Sequence, residues 1–169
     1  MSYTLDQLAS DCRAAMDKDA GPAGRDEVRK YIAKACADKD FVASQFDGNT
    51  TPRQVIYEDD KHGFCILAHV YEGEKGSNPH DHADSWAIYG QAMGTTTMTD
   101  WEKVEPAKDG QPGKVRKVKD YDLTPGIAHL YNEGDLHSPY RAATTRLIRV
   151  EGKNLAGVAR DKFEVLETA

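Results

Sequence analysis

Residues 79–94 read Pro79-His80-Asp81-His82-Ala83-Asp84-Ser85-Trp86-Ala87-Ile88-Tyr89-Gly90-Gln91-Ala92-Met93-Gly94. On an extended chain, residues i and i+2 point to one face. His80 and His82 would then stand side by side, as two ligands of one metal ion do. The competing reading of such a pair is two polar side chains on a solvated edge. Ser85–Met93 has the composition of a strand, and Gly94 closes it. Outward from this stretch the pattern stays β-like. Upstream lie Gln54–Tyr57, the turn Asp59–Gly63, the apolar strand Phe64–Tyr71 and the loop Glu72–Ser77. Downstream lie Thr95–Trp101, Lys114–Tyr121, Ile127–Tyr131 and Thr144–Glu151, with glycines and prolines between them. Many short strands so punctuated predict a β-barrel or sandwich.

Before residue 50 the apolar period is helical. Leu5, Leu8, Cys12 and Met16 recur about every 3.6 residues, and Thr4 with Gln7 offers a capping box. Residues 19–24 break that helix. Val28, Tyr31, Ile32, Ala35 and Cys36 define a second, and a third is expected over 38–46, capped by Asp38 or Asp40. One domain is expected over 1–169: a helical part (1–48), a barrel (50–152) and a C-terminal extension (153–169), in which helix is only weakly signalled after residue 155.

The 169 residues carry 22 basic and 28 acidic side chains, a net charge of -6. That balance argues against nucleic acid, whose binding runs on phosphate neutralisation, and against an anionic membrane surface. The basic run Lys114, Arg116, Lys117 and Lys119 is expected to be the solvated face of a strand. No apolar run approaches the roughly 20 residues of a membrane span, and the first residues have no secretory character. Cys12, Cys36 and Cys65 are odd in number and far apart, the pattern of reduced cytoplasmic thiols.

A third imidazole must come from afar. Gly134-Asp135-Leu136-His137 puts a histidine just past a tight turn, and His129 follows the turn Pro125-Gly126. His137 is the favoured third ligand and His129 the alternative. His69 is expected to be a satisfied core or edge histidine, and Trp86 and Trp101 packing residues.

Pro79-His80-Asp81-His82, then Ser85 and Gly94, resembles the first motif of the cupins, double-stranded β-helix barrels. Within them it is most similar to the cysteine dioxygenase group of thiol dioxygenases, in residues 38–152. Gly134-Asp135-Leu136-His137 resembles that group's third-histidine motif. The resemblance implies a cupin barrel with an N-terminal helical cap. It implies His80, His82 and His137 as metal ligands, since the glutamate many cupins add falls here on Trp86 or Ala87. It implies Fe(II), with Zn, Ni or Mn also suited to such donors, and a small-molecule substrate with O2 as partners. Arg53 stands where the group anchors a substrate carboxylate.

The group's catalytic tyrosine and its supporting histidine fall on Val150 and Ile148 in this alignment. Tyr140 is the candidate replacement phenol, with Tyr89 and Tyr131 as others. The expected activity is O2-dependent oxidation of a small thiol or organic acid, with little turnover of L-cysteine. The alternatives are a non-catalytic metal- or ligand-binding cupin and a non-oxidative cupin isomerase.

Overall fold

A computed structural model describes residues 2–166. Three helices precede ten strands: α1 (Leu5–Lys18), α2 (Pro22–Ala37), α3 (Lys39–Phe46), then β1 (Gln54–Glu58), β2 (Cys65–Tyr71), β3 (Lys75–Gly76), β4 (Ala87–Met93), β5 (Thr96–Glu105), β6 (Gly113–Leu123), β7 (Ala128–Tyr131), β8 (Leu136–Arg141), β9 (Thr145–Glu151) and β10 (Phe163–Val165). Thr4 and Gln7 form the capping box of α1. Pro22 takes the first turn of α2, where its missing N–H costs nothing. Asp38, rather than Asp40, caps α3, accepting from the backbone N–H groups of Asp40 and Phe41.

The strands form two five-stranded sheets, ordered β1-β2-β9-β4-β7 and β10-β6-β5-β8-β3. The pairings are antiparallel except β10 with β6. The late strand β9 lies between the early strands β2 and β4, so both ends of the β region tie into one sheet. The two sheets make the expected barrel, with the helices as its cap. The region after residue 152 differs from expectation: no helix forms there among the described residues, and Phe163–Val165 adds a strand beside β6.

The first sheet is covered on both sides, so its strands read as nearly unbroken apolar runs. On one face Ile66, Ala68, Val70, Ile88, Ile148 and Val150 pack with Leu8, Val28, Ile32 and Phe41 of the helices. On the other, Ala87, Tyr89 and Leu147 meet Met98, Leu123 and Tyr131 inside the barrel. Gly90 lets α2 seat on β4: a Cβ there would lie 2.5 Å from Ile32 Cγ2 and 2.8 Å from the Ile148 carbonyl oxygen. All three cysteines are buried and unpaired, and burial holds their thiols well above the usual range. The run Lys114–Lys119 lies on β6, where Lys114 pairs with Glu164 and Lys117 with Asp120. Among the described residues, no helix is long and apolar enough to cross a membrane.

Candidate metal centre

Strand parity decides which side chains enter the barrel. His80 and His82 precede β4 on an irregular turn, where Ala83 has φ +56° and Asp81 accepts its backbone N–H. A bridge between His80 and His137, with reciprocal N–H to carbonyl bonds of 3.0 Å, pins this turn against β8. Ring nitrogens of His80, His82 and His137 consequently all lie within 4.8 Å of one another. His129 is elsewhere: its ring stacks on Tyr131, and Tyr131 in turn stacks on His137 at 3.9 Å between centroids.

The hydrogen bonds set the tautomers. Nδ1 of His80 donates to the Asn78 carbonyl at 2.8 Å, and Nδ1 of His137 to that of Asp135 at 2.9 Å. Both leave Nε2 with a free lone pair, the orientation second partners give to metal-binding histidines. His82 differs. Its Nδ1 faces Arg149 Nη2 at 3.2 Å. A guanidinium only donates, so the His82 proton sits on Nε2, which points to His137 Nε2 at 3.0 Å. A hydrogen-bond chain therefore runs from Arg149 through His82 and His137 to a backbone carbonyl.

These donors fit a first-row ion. Two nitrogens 3.0 Å apart stand at about the spacing of adjacent ligands held ~2.0–2.1 Å from one metal. The ion would displace the proton between them, and for His82 to stay neutral that proton would pass to Nδ1, which would then give up its bond from Arg149. The rings are neutral, as ligands must be. Burial lowers His80 to about 4, and burial with the Arg149 charge lowers His82 further. His137 is also held well below the usual histidine range, chiefly by burial.

Tyr89 completes the cluster. Its hydroxyl lies 3.3 Å from His82 Nε2, 3.4 Å from His137 Nε2 and 3.5 Å from His80 Nε2. The side chain is 2% exposed, and burial raises its pKa, so the phenol keeps its proton. Tyr89 was one of the candidate phenols in the sequence, and it lies an even step from Ala87, on the same inner face of β4.

Beside the histidines opens a pocket of ≈ 370 Å³ whose wall includes His69, Tyr71, Tyr89, Arg141 and Arg149. Arg53 is at this pocket, but its guanidinium is held by Glu151 and Asn154, each at 3.0 Å. Tyr140 is not placed where the sequence reading put it. It follows His137 by three residues, an odd step on a strand, so it points out of the barrel. Its hydroxyl donates to Glu74, and the side chain is 47% exposed. Arg141, an even step from His137, points in.

Val150 and Ile148 need the same correction. Both face the helices, so neither occupies a place beside the pocket. The residues of β9 on the pocket wall are Arg149 and Glu151. His69 is also on the wall rather than satisfied in the core: Nδ1 is 2.9 Å from the Pro52 carbonyl, while Nε2 is buried without a partner. Trp86 packs among the helix-side core residues, and Trp101 Nε1 donates to Ser138.

No family model matches the chain, and no curated protein matches it in sequence. Solved structures similar to it include a cupin-2 domain protein from Shewanella frigidimarina, at 18% identity, TM-score 0.45, and 63% and 87% of the two chains. A cupin superfamily protein from Desulfitobacterium hafniense is 10% identical, with TM-score 0.42 over 58% of this chain and 72% of its own. KdgF from Halomonas sp. is 13% identical, with TM-score 0.44 over 59% and 76%. The fold rests on the strand order above, and these likenesses carry nothing about activity.

Proposed function

We propose that the protein is a mononuclear metal enzyme that oxidises a small organic acid or thiol with O2, its ion held by His80, His82 and His137. The observation that carries this reading is the convergence of three neutral imidazoles and one phenol at the edge of a cationic pocket. Three nitrogen ligands suit Fe(II), and a bound ion would supply open positions for substrate and O2 on its pocket side.

The chain's own residues do the rest. Arg149 and Arg141 hold and orient an anionic substrate, since guanidinium forks match carboxylates. Arg53 guards the pocket mouth. The Tyr89 hydroxyl keeps a proton within hydrogen-bond range of the histidine nitrogens, where charge develops on substrate bound there. Met98, Leu123, Tyr131 and Leu147 close the barrel behind the site and keep bulk water from it.

Tyr89 also favours a second reading. A buried phenol and an unprotonated ring are an acid and a base, enough for a non-oxidative isomerisation. Metal analysis and O2 uptake by iron-loaded protein separate the two. The oxidative reading requires bound iron and substrate-dependent O2 consumption that falls about 10²-fold in Tyr89→Phe, the loss typical of one preorganised donor. Turnover of an organic acid that persists without O2 selects the isomerase.

A further inference from the structure

The pocket is strongly cationic within an acidic chain. Five cations, Arg53, Lys75, Arg141, Arg149 and Arg160, stand on its wall with one carboxylate, Glu151. The chain as a whole carries a net charge of -6. The five occupy two depths. Arg141 is 4% exposed, and the Arg149 side chain is 12% exposed. Arg53, Lys75 and Arg160 are exposed at the mouth.

Glu151 is already committed. It accepts from Arg53 at 3.0 Å, lies 3.5 Å from Arg149, and accepts the Leu155 backbone N–H. Among the described residues, no carboxylate lies within ion-pair distance of Arg141. Its Nε donates to Thr96 Oγ1 at 3.2 Å, and its guanidinium stacks 4.3 Å from the centroid of Tyr71. Arg149 Nε is buried with no partner, while its guanidinium lies 4.6 Å from the centroid of Tyr89.

Arg141 buries a charge with no carboxylate beside it, which is costly, and the nearby Arg149 charge, offset only by the Glu151 it shares with Arg53, adds to that cost. Such a pair persists where function needs it, and the charge that would relieve it is an anion in the pocket. One carboxylate seated on Arg141 and Arg149 would leave Lys75 and Arg160 at the mouth, and any divalent ion on the histidines, without an opposite charge, while Arg53 has only the Glu151 carboxylate it shares with Arg149. The two tiers call for two negative groups on one small molecule.

We infer that the substrate is a small dicarboxylic acid, one carboxylate held by Arg141 and Arg149 and the other by Arg53 and Arg160 at the mouth. This deepens the proposal above by naming the charge of the substrate of that same pocket. A pocket of ≈ 370 Å³ is at the small end for organic ligands. Both carboxylates accept from forked donors, and His69 Nε2, an acceptor without a donor, can receive a hydroxyl or thiol proton from the carbon chain.

The test is calorimetric binding to the full chain, freed of metal by a chelator that is then removed. Malonate, succinate and glutarate are each compared with the monoacid of equal length, and with inorganic phosphate. At least one dicarboxylate should bind ten- to a hundredfold tighter than its monoacid, the worth of one charge-assisted fork. Arg141→Gln should erase most of that preference. Arg141→Met should do the same, and without ligand it should melt no lower than the parent, because it removes an uncompensated buried charge. Equal binding of dicarboxylate and monoacid overturns the inference. So does tighter binding of phosphate than of every dicarboxylate, or an undiminished preference in both Arg141 variants. Metal content, measured separately, keeps the two proposals apart: dicarboxylate preference in a protein that takes up no metal supports this one and removes the other.

Discussion

Strands β2 and β9 show two faces that share a backbone and little else. Ile66, Ala68, Val70, Ile148 and Val150 face the helices, and all are 1% exposed or less. His69, Tyr71, Arg149 and Glu151 face the pocket. The first face is apolar and sealed, and any side chain of the right volume serves it. The second holds buried polar atoms without partners, at His69 Nε2 and Arg149 Nε. Such atoms lower stability, and they collect where a ligand will supply the missing partner. One face builds the barrel; the other is kept ready for chemistry.

The comparison breaks most directly at Ile148, which is 0% exposed. Ile148→Ala should cost about 2–5 kcal/mol in denaturant unfolding, the usual price of an emptied core site. Metal uptake by the protein that remains folded should be unchanged. If Ile148→Ala left stability intact but lowered activity or metal content, the assignment of Ile148 to the helix face would be wrong.

His137→Ala tests the opposite face. Loss of one of three ligands should reduce metal affinity by roughly a hundredfold or more, beyond what loss of a mere ligand-orienting partner costs. Stability should change less than in Ile148→Ala, since the ring carries no apolar burial comparable to the core. His129→Ala should leave metal content intact, because Tyr131 stands between that ring and His137. Metal retained in His137→Ala and lost in His129→Ala would reverse the ligand assignment.

Much of this was legible before the structure. The capping box, the helical period of Leu8, Cys12 and Met16, the paired histidines and the turn before His137 all act locally, so sequence reports them. The missing part concerned parity. Placing the lost tyrosine on Val150 shifted β9 by one residue, and a one-residue slip moves every side chain to the other face. Reading even steps from His137 would have found Arg141, and even steps from Ala87 would have put Tyr89, one of the candidate phenols, ahead of Tyr140. The pairing of β9 between β2 and β4 joins residues far apart in sequence, and no local pattern announces it. Strands as short as β3 and β10 leave too little periodicity to read.

Acid should weaken the metal-free protein in large part through its pocket face, with half-buried His129 and the paired carboxylates adding to the loss. Burial lowers His69 to about 3 and His80 to about 4. Unfolded, each would titrate near 6.5. Their folded values lie below the unfolded one, so the unfolded state binds more protons once pH drops beneath about 6.5. Stability is then full above that pH and falls as acidity increases towards pH 4. The slope approaches about 1.4 kcal/mol per pH unit for each such histidine. Urea unfolding at pH 7.5, 6, 5 and 4.5 should show this decline, and His69→Gln should make it shallower. An unchanged slope in His69→Gln would mean that this ring is protonated in the folded protein.

The smallest effect is expected at Tyr140, and it bears on the parity rule itself. On β8, His137, Pro139 and Arg141 share the pocket side, which leaves Tyr140 on the other. Its hydroxyl donates to Glu74 at 2.8 Å in an exposed setting, where water replaces either partner readily. Tyr140→Phe should therefore shift stability by no more than about 0.5 kcal/mol, as surface substitutions usually do. Metal content and turnover should match the parent, while Tyr89→Phe, with the same single oxygen removed, should lower turnover about 10²-fold. The two variants delete identical atoms and differ only in the face they occupy. If Tyr140→Phe lost activity and Tyr89→Phe kept it, the phenol that serves the site would be the exposed one, and strand β8 would have to turn its other face to the pocket during the reaction.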